Sequence, residues 1–170
     1  MSAGTPRWRL LANPVHLVSL GGGLGLAPFA PGTFGTLLGF PLAWGLRQFT
    51  RGAPAGSVWL LLAILLAGAT WCAGRTAAAL GQQDPGAIVC DEYLAFAGLL
   101  LLLPAEYWTW IWAFLCFRLF DVTKPPPVGW ADARVHGGPG IMLDDLLAAA
   151  WAWVLLRVLA WLALPGGPLI

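Results

Sequence analysis

At 170 residues, 59% of them hydrophobic and only 10% charged, the chain carries more apolar surface than one water-soluble domain of this size can hide, and membrane is its natural solvent. Nine Lys and Arg against eight Asp and Glu leave no field strong enough to recruit nucleic acid, which excludes that class of partner. Cys72, Cys90 and Cys116 sit in or beside apolar runs without the paired spacings of zinc or redox sites, and they read as small buried hydrophobes.

Along the chain, Arg7 and Arg9 before Leu10 and Leu11 faintly imitate a signal peptide. Pro14, the run 21–25 and Pro28 interrupt any hydrophobic core of such a signal, so no cleavage is expected. Residues 15–30 are apolar yet rich in glycine and proline, which predicts a re-entrant or irregular N-terminal segment lying against protein. Five apolar runs follow, at 34–46, 56–74, 93–103, 108–120 and 146–164. The second and fifth approach the roughly 20 residues that cross a hydrocarbon core of about 30 Å. The other three fall in the length class where buried, re-entrant and interfacial helices compete with true spans. The expected fold is all-α, a multi-helix integral membrane bundle of about five apolar helices in one domain spanning 1–170, with Pro165 to Pro168 stopping the last helix.

If all five runs span, the connecting loops divide unevenly. Residues 1–33, 75–92 and 121–142 share one side, and 48–55, 104–107 and the C-terminus share the other. Every acidic residue except Glu106 falls on or next to the first side. So do Arg7, Arg9, Arg75, Arg118, Lys124 and Arg134, against Arg47 and Arg51 opposite, and the positive-inside bias makes that first side cytoplasmic. Trp108, Trp110 and Trp112 are placed to anchor the far interface. A bundle that gathers nearly all its polar residues at one end is most simply explained by a site there.

Asp91 and Glu92 stand directly before an apolar run, so their carboxylates enter the start of a helix about 100° apart around its axis. Asp144 and Asp145 repeat the arrangement. Near mid-membrane each carboxylate costs about 2.5 to 3.5 kcal/mol on insertion scales, which calls for compensation. One compensator is a magnesium ion, held by a few carboxylates, water and phosphate oxygens. The bland alternative is that first-turn acids complement the helix dipole and face interfacial water, worth about 0.3 to 1 kcal/mol each.

Asp121 closes the run 108–120, at a helix C-terminus where the dipole disfavours a negative charge. Arg118 and Lys124, three residues to either side, supply a cation in one of two ways. They form an interfacial ion pair, or with Arg134 they bind a phosphate and leave Asp121 to bind metal or orient a nucleophile. His136 precedes Gly137, Gly138, Pro139 and Gly140, read as a flexible lead whose amides can approach an anion at the following helix N-terminus. That histidine is a candidate general acid for a leaving alkoxide, whereas a lone histidine such as His16 is more often structural. Residues 31–36 form another glycine-rich approach to a helix, with Thr33 at the expected N-cap and without the lysine and spacing of a nucleotide-binding loop.

In order along the chain, Asn13-Pro14-Val15-His16-Leu17, Ala30-Pro31-Gly32-Thr33-Phe34-Gly35-Thr36, residues 84–92 ending in Asp91-Glu92, Phe117-Arg118-Leu119-Phe120-Asp121 with Lys124-Pro125, and His136-Gly137-Gly138-Pro139-Gly140-Ile141-Met142-Leu143-Asp144-Asp145 resemble the motifs of phosphatidylglycerophosphatase A. The resemblance covers roughly residues 13–150. Cys90 stands where that family commonly has tryptophan, and Pro126 replaces another aromatic, giving Pro125-Pro126-Pro127. Neither departure removes a charged group.

The resemblance implies a magnesium-dependent phosphomonoesterase of the bacterial inner membrane. Its active site faces the cytoplasm, and it hydrolyses phosphatidylglycerophosphate to phosphatidylglycerol and phosphate. On that reading Asp91, Glu92 and Asp144 hold Mg2+, Asp121, His136 and Asp145 are catalytic, and Arg118, Lys124, Arg134, Asn13, His16 and Thr33 bind the phosphate or headgroup. Direct attack by water and an aspartyl-phosphate intermediate both remain open. The chain lacks a Cys-x5-Arg loop and an Asp-x-Asp-x-Thr nucleophile motif, which leaves a magnesium–carboxylate route. Two rival readings predict differently. A small ion-coupled carrier predicts charges along the depth of the bundle. A noncatalytic assembly subunit predicts that Asp144→Asn is tolerated.

Overall fold

The computed structural model describes residues 7–54 and 56–163, and these are all-helical. A 3-10 turn, Arg7–Ala12, leads into α1 (Pro14–Ser19). There the Asn13 side chain accepts a hydrogen bond from the Val15 N–H at 2.9 Å, and Pro14 takes a first-turn position that needs no donor. A second 3-10 stretch, Gly21–Leu26, bends at Gly22 and Gly23, whose φ values of 67° and 106° suit glycine alone. The irregular segment expected over 15–30 is present in this form.

The long elements are α2 (Pro31–Phe49), α3 (Ser57–Leu80), α4 (Cys90–Leu101), α5 (Tyr107–Thr123) and α7 (Gly137–Ala163), with the short α6 (Val128–Arg134) between the last two. The helix α4 is the central post. Leu94, Ala95, Phe96, Ala97, Leu99 and Leu100 are all buried, and α2, α3, α5 and α7 pack around them. On α2 the buried stripe Gly32, Gly35, Gly39 and Ala43 lets the two backbones close up, and a β-carbon on Gly39 would lie 2.6 Å from Phe96 Cδ1 and 3.0 Å from the Tyr93 carbonyl. Such small-residue seams replace the hydrophobic drive that helices lose when the surroundings are themselves apolar. Phe96 closes the middle of the post, its ring centroid 5.0 Å from Phe40 and 5.5 Å from Phe117. Truncating a phenylalanine at such a position costs about 3–5 kcal/mol.

Two helices, Ser57–Leu80 and Gly137–Leu162, are long and apolar enough to cross a membrane. Only 17% and 22% of their most apolar stretches are buried in the protein, so neither is the sheathed core helix of a water-soluble fold. Leu60, Ile64 and Trp71 on α3 and Trp161 and Leu162 on α7 instead form an exposed apolar surface that suits lipid. The other three apolar runs, left open between true spans and shorter buried or interfacial helices, form helices that fall short of this standard. α4 has 12 residues and α5 has 17, while α2 has 19 but is diluted by glycines, Thr33, Thr36, Arg47 and Gln48. Five uniform spans are therefore not what is seen.

Three further expectations need correction. Residues 121–142 are not a loop, because they contain α6 and the first turns of α7. The run 137–140 is helical, and two of its glycines serve close packing: a β-carbon on Gly138 would lie 2.1 Å from the Thr70 carbonyl oxygen, and one on Gly140 2.1 Å from that of Val135. Pro139 is tolerated because a first-turn residue has no intrahelical partner for an N–H. Thr33 is not the N-cap of α2; that place belongs to Ala30, in the left-handed region at φ 44°, with Pro31 following it. The expected stop at 165–168 lies outside the described residues.

Candidate active site

The starts of α2, α4 and α7 and the ends of α3 and α5 meet at one end of the bundle. Seen from α4, Glu92 lies against the backbone of α2, and a β-carbon on Gly32 would fall 1.9 Å from Glu92 Oε1, or on Gly35 2.8 Å from Oε2. Arg118, one turn before the end of α5, reaches across with its terminal Nη1. That nitrogen lies 3.6 Å from Glu92 Oε1, donates to Asp121 Oδ2 on its own helix, and stands 3.4 Å from the hydroxyl of Thr36. One guanidinium thus ties α5 to α4 and α2. The Thr36 hydroxyl is buried and donates to the Gly32 carbonyl at 2.8 Å, which leaves its oxygen free to face Arg118.

A second cation sits on the other flank. Lys124 caps α5 in the left-handed conformation, φ 43°, which turns the chain back toward the bundle. Its Nζ donates to Asp132 Oδ1 of α6 at 2.5 Å and to Asp144 Oδ2 of α7 at 2.9 Å. Gly129 allows α6 to fold so tightly, since a β-carbon there would lie 2.8 Å from the Lys124 carbonyl oxygen. Burial works against the Lys124 charge, but the hydrogen bonds to the two aspartates outweigh it and hold the ammonium above its usual pKa.

Between the two flanks lie Asp91 and Asp145. Both are buried, at 8% and 2% exposure, and neither forms a hydrogen bond or ion pair with a cation. Asp145 is close enough to Asp91, Asp121, Glu92 and Asp144 to feel each of their charges, and Asp91 feels Glu92, Asp144 and Asp84. Four buried carboxylate oxygens have no hydrogen-bond partner: Asp91 Oδ1, Glu92 Oε2, Asp144 Oδ1 and Asp145 Oδ2. A buried charge left in that state is costly unless a cation or proton answers it. Among the described residues no three or more His, Cys, Asp or Glu side chains are grouped so that they could together hold a metal ion.

The remaining candidates separate. His136 is exposed at the rim, sharing a cavity of about 90 Å³ with Gln83, Asp84, Asp132 and Asp144. Arg134 is exposed in the last turn of α6. Thr33 lies in the first turn of α2, one turn before Thr36, and has no side-chain contact to Arg118 of the kind Thr36 makes. Asn13 and His16 are not with the acids. Asn13 caps α1, and His16 Nδ1 hydrogen-bonds the Thr76 hydroxyl of α3 at 2.8 Å, in a chain that continues to Ser19. Both line a separate cleft of about 370 Å³ with Trp71 and Arg75.

Several contributors escape a reading by residue type. Thr36, Asp84 and Asp132 all join the cluster, and Gly32 and Gly35 shape it. A signal for the glycines was available: Gly32, Gly35, Thr36 and Gly39 fall at the i, i+3, i+4, i+7 spacing of one helix face. Asp132 carried no comparable signal, because only the turn at Lys124 brings it back.

The arrangement suits a phosphate monoester: two cations on opposite flanks, unpartnered carboxylate oxygens between them, and an exposed histidine at the mouth. Comparison with known proteins agrees. The family profile of Phosphatidylglycerophosphatase A matches residues 17–160. A Phosphatidylglycerophosphatase A of Escherichia coli strain K12 is 40% identical over 139 residues, covering 81% of this chain and 78% of its own length. One of Haemophilus influenzae is 41% identical over 143 residues, covering 84% and 86%. A relative from Bacteroides thetaiotaomicron, provisionally named a phosphatidylinositol-3-phosphatase, is 34% identical over 151 residues, covering 85% and 92%. No solved structure gives a significant match. Since the profile and two of these relatives each span most of its length, the chain belongs to the phosphatidylglycerophosphatase A family.

Proposed function

We propose that the protein is a membrane-associated lipid phosphatase that hydrolyses phosphatidylglycerophosphate to phosphatidylglycerol and inorganic phosphate. The observation that carries the reading is the set of four buried, unpartnered carboxylate oxygens from α4 and α7, set between Arg118 and Lys124. Arg118 and Lys124 bind and orient the phosphoryl oxygens, the first through a planar fork and the second as a point charge. Asp121, held in place by Arg118, orients the attacking water and accepts its proton. His136, at the mouth, donates a proton to the departing glycerol oxygen.

The unpartnered oxygens fit a hard cation. Magnesium is usually bound by one or two carboxylates, with water and phosphate oxygens completing its shell, so a closed protein cage is not required. Asp91 and Asp145, which face no protein cation, are the first ligands in this reading, with Glu92 and Asp144 beside them. Asp145 thereby moves from the catalytic group to the ion-holding one. When bound, the ion supplies Lewis-acid polarisation of the phosphoryl oxygens.

The same reading orients the chain in a bacterial inner membrane. Arg75, Arg118, Lys124 and Arg134 lie toward the acidic end, and under the positive-inside rule this supports the cytoplasmic face for that end. α2, α4 and α5 then complete a bundle whose membrane-crossing length comes from α3 and α7. The gathering of acids at one end, instead of along the depth, disfavours an ion-coupled carrier.

The test is purified protein in detergent with phosphatidylglycerophosphate, assayed for released phosphate with magnesium or with a chelator. Turnover that needs magnesium, and falls at least about 100-fold in Asp91→Asn and Asp145→Asn, supports the assignment. Undiminished turnover in chelator, or in both variants, overturns the metal site. Absence of lipid phosphatase activity overturns the function. Labelling of cysteines placed at Arg134 and Arg51 from either side of sealed cells tests the orientation.

A further inference from the structure

An apolar groove of about 280 Å³, with no place in the chemistry above, lies among α3, α4 and α7. Small residues line it, Ala95 and Gly98 from α4 and Ala149 and, at its exposed edge, Ala150 from α7. Bulky residues wall it, among them Trp59 from α3 and Trp153 from α7. We propose that this groove holds one acyl chain of the lipid monoester whose phosphate occupies the acidic site, an inference that rests on the lipid phosphatase reading.

Continuity with the site is the argument. The same two helices that carry the unpartnered carboxylates also carry the groove, and both leave the site in the same direction. On α4 the lining begins at Ala95, one turn beyond Asp91 and Glu92, and ends at Leu102. On α7 it begins at Leu146, directly after Asp145, and ends at Trp153. At 1.5 Å per residue, Asp91 to Leu102 measures about 17 Å and Asp145 to Trp153 about 12 Å. The antiparallel α3 brings Trp59 and Leu62 from its opposite end to the far wall, so the groove is bounded in depth. A headgroup held between Arg118 and Lys124 therefore has an apolar slot starting one helical turn below it.

The lining explains the width. A β-carbon on Gly98 would lie 3.3 Å from Leu62 Cδ2, so α3 sits against α4 at that point of the groove. Ala150 is exposed and edges the groove, which makes it the position where a larger side chain fills the slot without entering the core. Occupants other than the substrate chain, namely a structural lipid unconnected to the site or a second copy of this protein, are separated by the test.

Ala150→Phe is compared with the wild type on two substrates, dipalmitoyl phosphatidylglycerophosphate in mixed micelles and its water-soluble dibutyryl analogue. The expected result is a KM about tenfold higher for the long-chain substrate, with kcat on it and both constants for the dibutyryl analogue unchanged. Ile64→Phe, on the exposed face of α3 away from the groove, is expected to alter neither. Equal effects on both substrates, or none on either, overturn the slot while leaving the phosphatase reading standing. In case Ala150→Phe fails to fold, the wild-type protein is photolabelled in chelator with phosphatidylglycerophosphate carrying a diazirine in its acyl chain. Label on peptides containing Gly98 or Ala150, competed by unlabelled substrate, supports the proposal. Label there that substrate does not compete, or no label there, overturns it, as does oligomerisation abolished by Ala150→Phe with KM unchanged.

Discussion

Glu92 occupies the space that any side chain larger than hydrogen at Gly32 would need, with its Oε1 1.9 Å from where a β-carbon would stand. The glycine is thus part of the site although it bears no functional group. Replacing it moves the carboxylate off Arg118 Nη1, 3.6 Å away, and disturbs a guanidinium that also holds Asp121. Misplacing reactive groups by about 1 Å costs on the order of 100-fold in rate. Gly32→Ala is expected to lose about that much turnover while remaining helical by circular dichroism. Full activity in this variant would show that Glu92 is dispensable.

Asp91 and Asp145 separate ion holding from catalysis through stability. In chelator their carboxylates are buried without a cation, so Asp145→Asn should raise the thermal stability of the metal-free protein by about 1–3 kcal/mol. With magnesium the order should reverse, because the wild type gains the stabilisation of a bound ligand and the variant does not. The check is a pair of melting curves with and without the ion. Parallel shifts of wild type and variant on adding magnesium would argue against Asp145 as a ligand.

Lys124 gives a prediction about pH. Its pKa is raised above the ordinary value of about 10.4, so the stabilisation from its bonds to Asp132 and Asp144 is fully present below that value. It is lost only as pH rises through the higher folded value. Lys124→Ala should therefore depress kcat/KM by a constant factor, about 10- to 100-fold, across pH 6 to 9 without changing the shape of the profile. A profile that changes shape would assign a visible titration to this lysine.

His16 and Arg118 should part company. His16 hydrogen-bonds Thr76 in the contact between α1 and α3, away from the acids, so His16→Ala should cost about 0.5–1.5 kcal/mol of stability and leave kcat within about twofold. Arg118→Ala should lose on the order of 1,000-fold in turnover, since one guanidinium orients Glu92 and Asp121 and is available to phosphate. The measurement is turnover beside denaturation midpoint for both. Equal losses of activity would put His16 back at the substrate.

The sequence revealed the gathering of carboxylates because it follows from counting spans and sides, and Glu92, Asp121 and Asp144 do converge through Arg118 and Lys124. The residues alone set His136 apart as the candidate acid and His16 as more often structural; it was the resemblance that put His16 at the headgroup, and the docking of α1 on α3 takes it away. The glycines at 137–140 misled for a related reason. Glycine in isolation signals freedom, yet here Gly138 and Gly140 sit where neighbouring carbonyls leave no room for a β-carbon. Helix length was misjudged at the polar ends, where α2 starts at Pro31 and α7 at Gly137, with Pro139 in its first turn, ahead of the apolar runs.

At its far end α4 is finished by Arg47, whose Nη2 donates to the carbonyls of Leu100 and Leu103 at 2.7 and 2.6 Å. Between that clasp and Asp91 lie only a dozen residues, about 18 Å of helix, against roughly 30 Å of hydrocarbon in a bilayer. The long helices set how far the protein reaches, but α4 sets how thick its insulation is. On the proposed reading, water dips inward to meet the carboxylates and reaches the ester while the lipid stays seated in its leaflet.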